Sequence, residues 1–419
     1  MKKLISNLFQ RSFVPVAFSL LIGCGGSSGS DTPPPPDPDA DIRITALFDL
    51  SGPGQTLGQA SKAAVEESVE LSSLQGITVS VQYYDTQSDP AKAQAAVEEA
   101  LANGVSIFLG PQTSSEARQI LPTVNEAGAL VISQGSTASS LAVANDALYR
   151  MIPTDRVEAR AIYDLAVSRG ASSFITINRQ DTGNQGLADS FTGYATNGGS
   201  VVLANLEYPT TQTSNFSSLA GELAAVVAAN PDDSIAVFLA GFDEVSSVLA
   251  SCALQPALAH IAFYGGDGSA LATTVTADQT AAEFANAAAL FPNALLTIPP
   301  DFMELAKLIT EAYGGDQVNA FALAGFDAAN ILSDAYKLNP DFDAPGVLRT
   351  TFVEAATGYQ GVTGDIYLNQ AGDRSSGAYA FWGIYRNGTQ YQWSHVASWN
   401  PTSPSSLVGT ASFSGCGSN

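Results

Sequence analysis

Histidine and cysteine are nearly absent from this chain, two of the first and three of the second in 419 residues. His260 and His395 have no partner at metal-ligand spacing, and Cys24, Cys252 and Cys416 lie too far apart for a CxxC site. No metal and no cofactor are therefore expected. Basic residues are also few, 17 against 40 acidic ones, a formal net charge of -23. Such a balance repels phosphate backbones and anionic bilayers, so nucleic acid is not expected as a partner and membrane contact would run only through an attached lipid. There is no Gly-x-Ser-x-Gly elbow, and the acids are too scattered to nominate a general acid/base pair, so no enzyme is expected.

What is present begins with a basic head of Lys2, Lys3 and Arg11 that precedes an apolar run from Phe13 to Ile22, the order of a secretory signal. The run is too short for a permanent span, and no later stretch reaches the roughly 18 apolar residues that a span needs. Its ending, Leu21-Ile22-Gly23-Cys24, resembles the bacterial lipobox, which implies a signal over residues 1–23 and a lipidated Cys24 as first residue of the mature chain. Loss of the signal leaves 14 basic against 40 acidic residues, a net charge of -26. Gly25, in place of an Asp, points to sorting to the outer membrane, facing the periplasm; the cell exterior is the other location consistent with a lipid anchor in the bacterial envelope.

Residues 24–40 are rich in Gly, Ser, Pro and Asp, which cannot bury enough apolar surface to offset the entropy of ordering, and Pro33 to Pro36 favour an extended tether. Cys252 and Cys416 form either a disulfide or a buried free thiol and a free tail cysteine.

From Asp41 onward, strand and helix patterns alternate. Ile42 to Phe48, Ile77 to Tyr84, Ser106 to Leu109 and Leu130 to Ser133 read as strands, separated by helices over Leu57 to Leu71, Asp89-Pro90 to Ala102 and Ser114 to Ala127. After Pro153 the alternation repeats, with strands Phe174 to Asn178, Ser200 to Tyr208, Ser234 to Leu239 and Ile261 to Tyr264. Long helices follow over Phe302 to Tyr313 and Phe321 to Leu338, then aromatic-rich strands around Tyr379 to Tyr385. Such a βαβ series builds parallel sheets covered on both faces, here in two α/β lobes with a cleft between them.

An ordered set of segments then resembles a family. Asp49-Leu50-Ser51-Gly52-Pro53-Gly54, Tyr84 to Ala93, Gly110-Pro111-Gln112-Thr113-Ser114-Ser115, Ser136-Thr137-Ala138, Tyr149-Arg150 with Pro153-Thr154-Asp155, Gly361 to Asp365 and Gly372-Asp373-Arg374 are similar to type I periplasmic solute-binding proteins of the Leu/Ile/Val-binding group. The resemblance implies two Rossmann-like lobes with parallel central sheets joined by a three-strand hinge. Lobe 1 would comprise 41–154 and 298–375, lobe 2 would comprise 155–297 and 376–400, and 401–419 would be a tail. It further implies that Ser114, Gly135 and Thr137 hold the ligand carboxylate and amino group, with Ser136 beside them among the ligand-binding residues, that Asp267 pairs with the ammonium, and that Phe242 forms an aromatic wall.

Leu57 and the loop Asn178 to Asn184 depart from the family pattern, where Arg179 and Asp181 suit a more polar solute. A dinucleotide site at Gly52 to Gly58 is disfavoured, because the glycine spacing is one residue too long and Pro53 removes an N–H. The expected function is capture of an amino-acid-like solute for an ABC-type permease. The alternative is a regulatory or scaffolding lipoprotein that uses the same fold to bind a protein.

Overall fold

The computed structural model describes residues 33–313, 319–344, 346–375, 377–401 and 407–409. The signal, Cys24, Gly25 and Cys416 lie outside the described residues.

The first sheet is built by β1 (Ile42–Phe48), β2 (Val79–Asp85), β3 (Ile107–Leu109), β4 (Leu130–Ser133) and β5 (Leu148–Pro153). Helices α1 (Gln55–Leu74), α2 (Pro90–Ala102) and α3 (Ser114–Glu126) connect the first four of these strands. Strand β1 is buried along almost its whole length, as a strand covered on both faces requires, whereas β2 at the sheet edge is mostly half-buried.

The second sheet repeats the plan. Helices α4 (Asp155–Ser168), α5 (Thr182–Asn197), α6 (Ser217–Ala229) and α7 (Val245–Cys252) alternate with β6 (Ser173–Arg179), β7 (Val201–Tyr208), β8 (Ile235–Ala240) and β9 (Ala262–Gly265). Helices α8 (Thr273–Ala277) and α9 (Gln279–Ala287) and strand β10 (Asn293–Leu296) complete the series.

The chain then returns to the first lobe through α10 (Met303–Tyr313), α11 (Ala320–Leu338) and α12 (Leu348–Ala356). The small hairpin of β11 (Tyr359–Gly361) and β12 (Gly364–Ile366) and the short strand β13 (Asp373–Arg374) follow. Helix α11 is buried through most of its length. Ala, Gly and Ser on α1 and α11 let the two helices approach closely, and Ser72 and Ser333 share a 2.6 Å hydrogen bond between them.

Strand order is β2-β1-β3-β4-β5-β13 in one sheet and β7-β6-β8-β9-β10-β14-β15-β16 in the other. The parallel part has the same order in both. Strands β14 (Tyr379–Asn387), β15 (Gln390–Trp399) and β16 (Leu407–Gly409) extend the second sheet in antiparallel register, β14 pairing with β10. The chain therefore passes between the sheets three times, after β5, after β10 and after β13.

These crossings are held by charge buried between them. Arg150 Nε meets Asp373 Oδ1 at 2.6 Å, both side chains essentially inaccessible, while Arg150 Nη1 donates to the Ala138 carbonyl. Beside it Arg374 donates to the Met151 carbonyl and to the Thr363 carbonyl and hydroxyl. Asp327 on α11 accepts hydrogen bonds from the Val362 and Thr363 amides and the Thr363 hydroxyl. The segments Gly361 to Asp365 and Gly372 to Arg374 thus lock the return strand rather than line a site.

Two expectations need correction. Residues 33–40 are not wholly a free tether: Pro36 is buried, the Pro33 carbonyl accepts a hydrogen bond from Gln82 Nε2, and the Asp37 amide donates to Ser80 Oγ. Strand β2 is an edge strand whose side chains offer free polar atoms, and the prolines can dock there without an N–H of their own. Helix α12 and strand β15 stand where the sequence pattern marks no element. Cys252 is a free, fully buried thiol in the core of the second lobe, its ionisation pushed up to about 12 by burial; the other cysteine of the expected pair lies outside the described residues. Among the described residues no helix is long and apolar enough to cross a membrane.

Replacing Asp373 by Ala strands the Arg150 cation in the interior. The expected loss, read from urea unfolding, is about 3–5 kcal/mol, and a loss below about 1 kcal/mol would contradict the role given to this pair.

Candidate functional site

In open parallel sheets the crevice lies beyond the carboxyl ends of the strands, where neighbouring connections run to opposite faces. That point falls between β1 and β3 in the first sheet and between β6 and β8 in the second. The loops at these ends enclose a tight cavity of about 30 Å³. Its first-lobe wall carries Leu57, Gln112, Thr113, Ser114, Gly135, Thr137 and Phe321, and its second-lobe wall Asp181, Gly183, Asn184, Leu187, Phe242, Asp267 and Gly268.

The first-lobe wall is rich in donors. Thr113 caps α3 in a capping box, its Oγ1 accepting from the Glu116 amide while Glu116 Oε2 accepts from the Thr113 amide at 3.0 Å. Ser114 follows at the first turn. Its Oγ accepts from the Thr137 amide at 3.2 Å, the Ala138 amide at 3.1 Å and Ser136 Oγ at 3.2 Å. Ser133 Oγ gathers the Gly135 and Ser136 amides and donates to the Pro111 carbonyl. Two adjacent loops are thereby knitted into one surface of amides and hydroxyls beside a helix N-terminus, an arrangement suited to an anion. Gly135 is needed for close approach, since a Cβ there would sit 2.6 Å from the Gln112 carbonyl oxygen.

Behind this wall, Asp49 accepts from the Gly54 amide at 2.7 Å and from Ser88 Oγ at 2.6 Å, and Gln112 Nε2 donates to the Gly54 carbonyl at 2.9 Å. Glycine at 58 lets α1 start against the Asp49 carbonyl, which a Cβ would meet at 1.8 Å.

The second-lobe wall is acidic and aromatic. Asp181 caps α5 by accepting the Gly183 and Asn184 amides at 3.0 Å each, and Arg179 Nε lies 3.1 Å from it. The same guanidinium approaches Glu244 at 3.5 Å and lies 5.4 Å from the centroid of the Phe242 ring. Arg179 thus backs the aromatic wall, its charge taken up by two acids. Asp267 sits in the short turn Asp267–Ser269, buried, with its amide donating to Glu158 Oε1 at 2.7 Å. Burial pushes its carboxyl up to about 6, against the lowering effect of hydrogen bonds from Glu158 and the Gly268 amide. The lobes meet around the cavity, the Thr182 amide donating to Ser115 Oγ at 3.1 Å and the Asp155 amide to the Thr137 carbonyl at 2.9 Å.

Of the residues expected at a ligand, Ser114, Gly135, Thr137, Phe242 and Asp267 come together around this one cavity. Ser136 does not reach it; its side chain turns to Ser114 and supports the wall from behind. Leu57 and Asp181, at the positions that depart from the family pattern, both line it. Phe321 was not anticipated. It arrives from the returning helix α11, whose cap Asn319 accepts its amide at 2.7 Å, and that cap was the only local sign of a helix start at the cleft.

The model of the family described as periplasmic binding protein matches residues 41–388. An uncharacterised protein of Methanocaldococcus jannaschii is 26% identical over 409 residues, covering 91% of this chain and 95% of its own length. The leucine-binding protein LivK of Thermotoga maritima superposes with a TM-score of 0.70 at 19% identity over 86% of this chain and 99% of its own. A solute-binding protein of an ABC transporter from R. palustris, solved with benzoate, superposes at 0.68 and 18% identity over 84% and 95%.

Several acids in and behind the cleft are held above their ordinary range, chiefly by burial: Glu116 and Asp155 at about 7 and Asp267 at about 6. Each binds a proton more tightly folded than unfolded. Their stabilising effect is full below the unfolded value near 4 and is lost as pH rises through 6 to 7, on the order of 3 kcal/mol for Glu116 alone. The ligand-free protein should therefore lose unfolding free energy between about pH 5 and pH 8, and a flat or rising profile by chemical denaturation would contradict these environments.

Proposed function

This chain belongs to the periplasmic binding protein family, and on that premise we propose that it captures a small zwitterionic solute of the amino-acid class in the cavity between its lobes and delivers it to an ABC-type permease. The observation that carries the reading is the opposition of two chemistries across one enclosed space. Amides and hydroxyls at Ser114, Gly135 and Thr137 lie on one side, and the Asp267 carboxyl, paired with no cation among the described residues, lies on the other.

A ligand carboxylate against the first wall would take a hydrogen bond from the Ser114 hydroxyl, which accepts from its neighbours and keeps its own proton to donate. An ammonium against Asp267 would lift the cost of burying that acid and gain a charge-assisted hydrogen bond once the lobes close. Leu57, Leu187, Phe242 and Phe321 offer apolar and aromatic surface to a side chain, which suits an apolar or aromatic group better than a charged one. Asn184 and Asp181 add a polar corner.

The same reading takes the chain as an exported lipoprotein, cut before Cys24 and tethered to the envelope by residues that end at Pro33. Extracytoplasmic capture needs a receptor held near its permease. The N-terminal pattern supports this through its basic head, its short apolar run and its cysteine.

A thermal melt against a panel of amino acids, amides and short carboxylates tests the reading. A ligand at a hundred times its dissociation constant should add about 2.7 kcal/mol of stability, and no response to any panel member would sink it. Asp267→Ala should abolish the response to an amino acid while the variant stays folded; an unchanged response would remove Asp267 from the site. In a bacterial host, Cys24→Ser should move the protein from the membrane to the soluble fraction, and retention in the membrane would contradict the lipid anchor.

A further inference from the structure

Glu158 does not line the cavity, yet it hydrogen-bonds the backbone of the acid that does. It lies on α4, fully buried, and its Oε1 accepts the Asp267 amide at 2.7 Å. Its other oxygen, Oε2, is buried and receives no N–H or O–H from the described residues. The Glu158 carboxyl also lies within side-chain hydrogen-bond reach of the Asp267 carboxyl. Two carboxyl groups can be joined in that way only when a proton lies between them.

Resting on the reading of the cleft as an ammonium site, we infer that Glu158 and Asp267 share a single proton, so that the pair presents one negative charge to the cavity, matched to one cationic nitrogen of the ligand.

Among the described residues no cation acts on the pair. Like charges in contact cannot both ionise in a buried site. Facing Glu158 are Asp155 from its own helix, Asp267 from the turn after β9 and the buried Tyr379 hydroxyl from β14, none of which brings a positive charge. The arginines nearby are engaged elsewhere. Arg150 pairs with Asp373, Arg179 with Asp181 and Glu244, and Arg374 with Thr363 and the Met151 carbonyl. Apolar groups complete the enclosure: a Cβ placed on Gly266 would touch Leu187 at 2.6 Å as well as Glu158 Oε1 at 3.2 Å. Burial, and then the charge of Asp267, raises Glu158 well above the usual carboxyl range, so the proton rests on Glu158 and its O–H donates to the Asp267 carboxylate. Glu158 is thus a positioning residue. It holds Asp267 from two sides and keeps the count of negative charge at one.

The test uses the full chain without any ligand. Infrared difference spectra of the wild type at about pH 6.5 should contain a protonated-carboxyl band that E158Q lacks, whereas Glu116 and Asp155 contribute equally to both proteins. The midpoint of thermal unfolding should fall less steeply with pH in E158Q than in wild type. An unchanged carboxyl spectrum together with an unchanged slope overturns the inference. Should E158Q fail to fold, Asp267→Asn reports on the same pair, since Glu158 then loses the ionised oxygen to which it donates; its band must shift, and an unshifted band overturns the inference. None of these readouts needs a solute. A shared proton in a protein that answers no amino acid would sink the proposed function and leave the pair standing.

Discussion

A parallel strand ends with backbone groups that its neighbours cannot pair, and the helix that follows begins with N–H groups that have no partner within the helix. Where adjacent connections leave a sheet on opposite faces, these groups border a crevice. Here the same strand order occurs twice in one chain, and the two crevices face each other. Everything at the site follows from that juxtaposition: the donor surface at α3 and the loop after β4, the cap at α5, and the turn after β9 that carries Asp267.

Carboxylates do much of the work of shaping these loops. Asp49 gathers the loop before α1, Glu116 completes the cap of α3, Asp181 caps α5, and Asp327 holds the turn at Val362 and Thr363. Each accepts N–H groups that would otherwise be buried unpaired, and such satisfaction is worth more inside a protein than in water. The cost is desolvation, which appears as acids held near neutrality, Asp327 at about 6 among them. A chain with few cations uses its own acids as acceptors and pairs its scarce arginines where the lobes join. Arg150 and Arg374 sit at the crossings, not in the cavity.

Much of this was legible beforehand because the βα alternation is periodic and its loops carry helix caps. Asp89-Pro90, Thr113 to Glu116 and the glycine of Gly135 are local signals with local causes, and the structure sets the elements they mark within a residue or two. Less legible were features whose cause is distant in sequence. Phe321 lines the cavity because α11 returns to the first lobe. Glu158 matters because α4 passes beneath a turn more than a hundred residues later. Helix α12 and strand β15 went unassigned, one short helix without a capping side chain and one strand at a sheet's antiparallel extension. The segments Gly361 to Asp365 and Gly372 to Arg374 stood out in the sequence for their likeness to a family, and the structure gives them a locking role at the crossing.

The central claim is that one enclosed space reads a carboxylate and an ammonium together. Equilibrium dialysis of the full chain against an equimolar mixture of the natural L-amino acids and their deaminated counterparts, with the retained solute identified by mass spectrometry, tests it most directly. The account predicts that one or a few α-amino acids are retained and that the matching deaminated acids are not. Retention of a deaminated acid in preference to its amino acid, or retention of nothing, would contradict it.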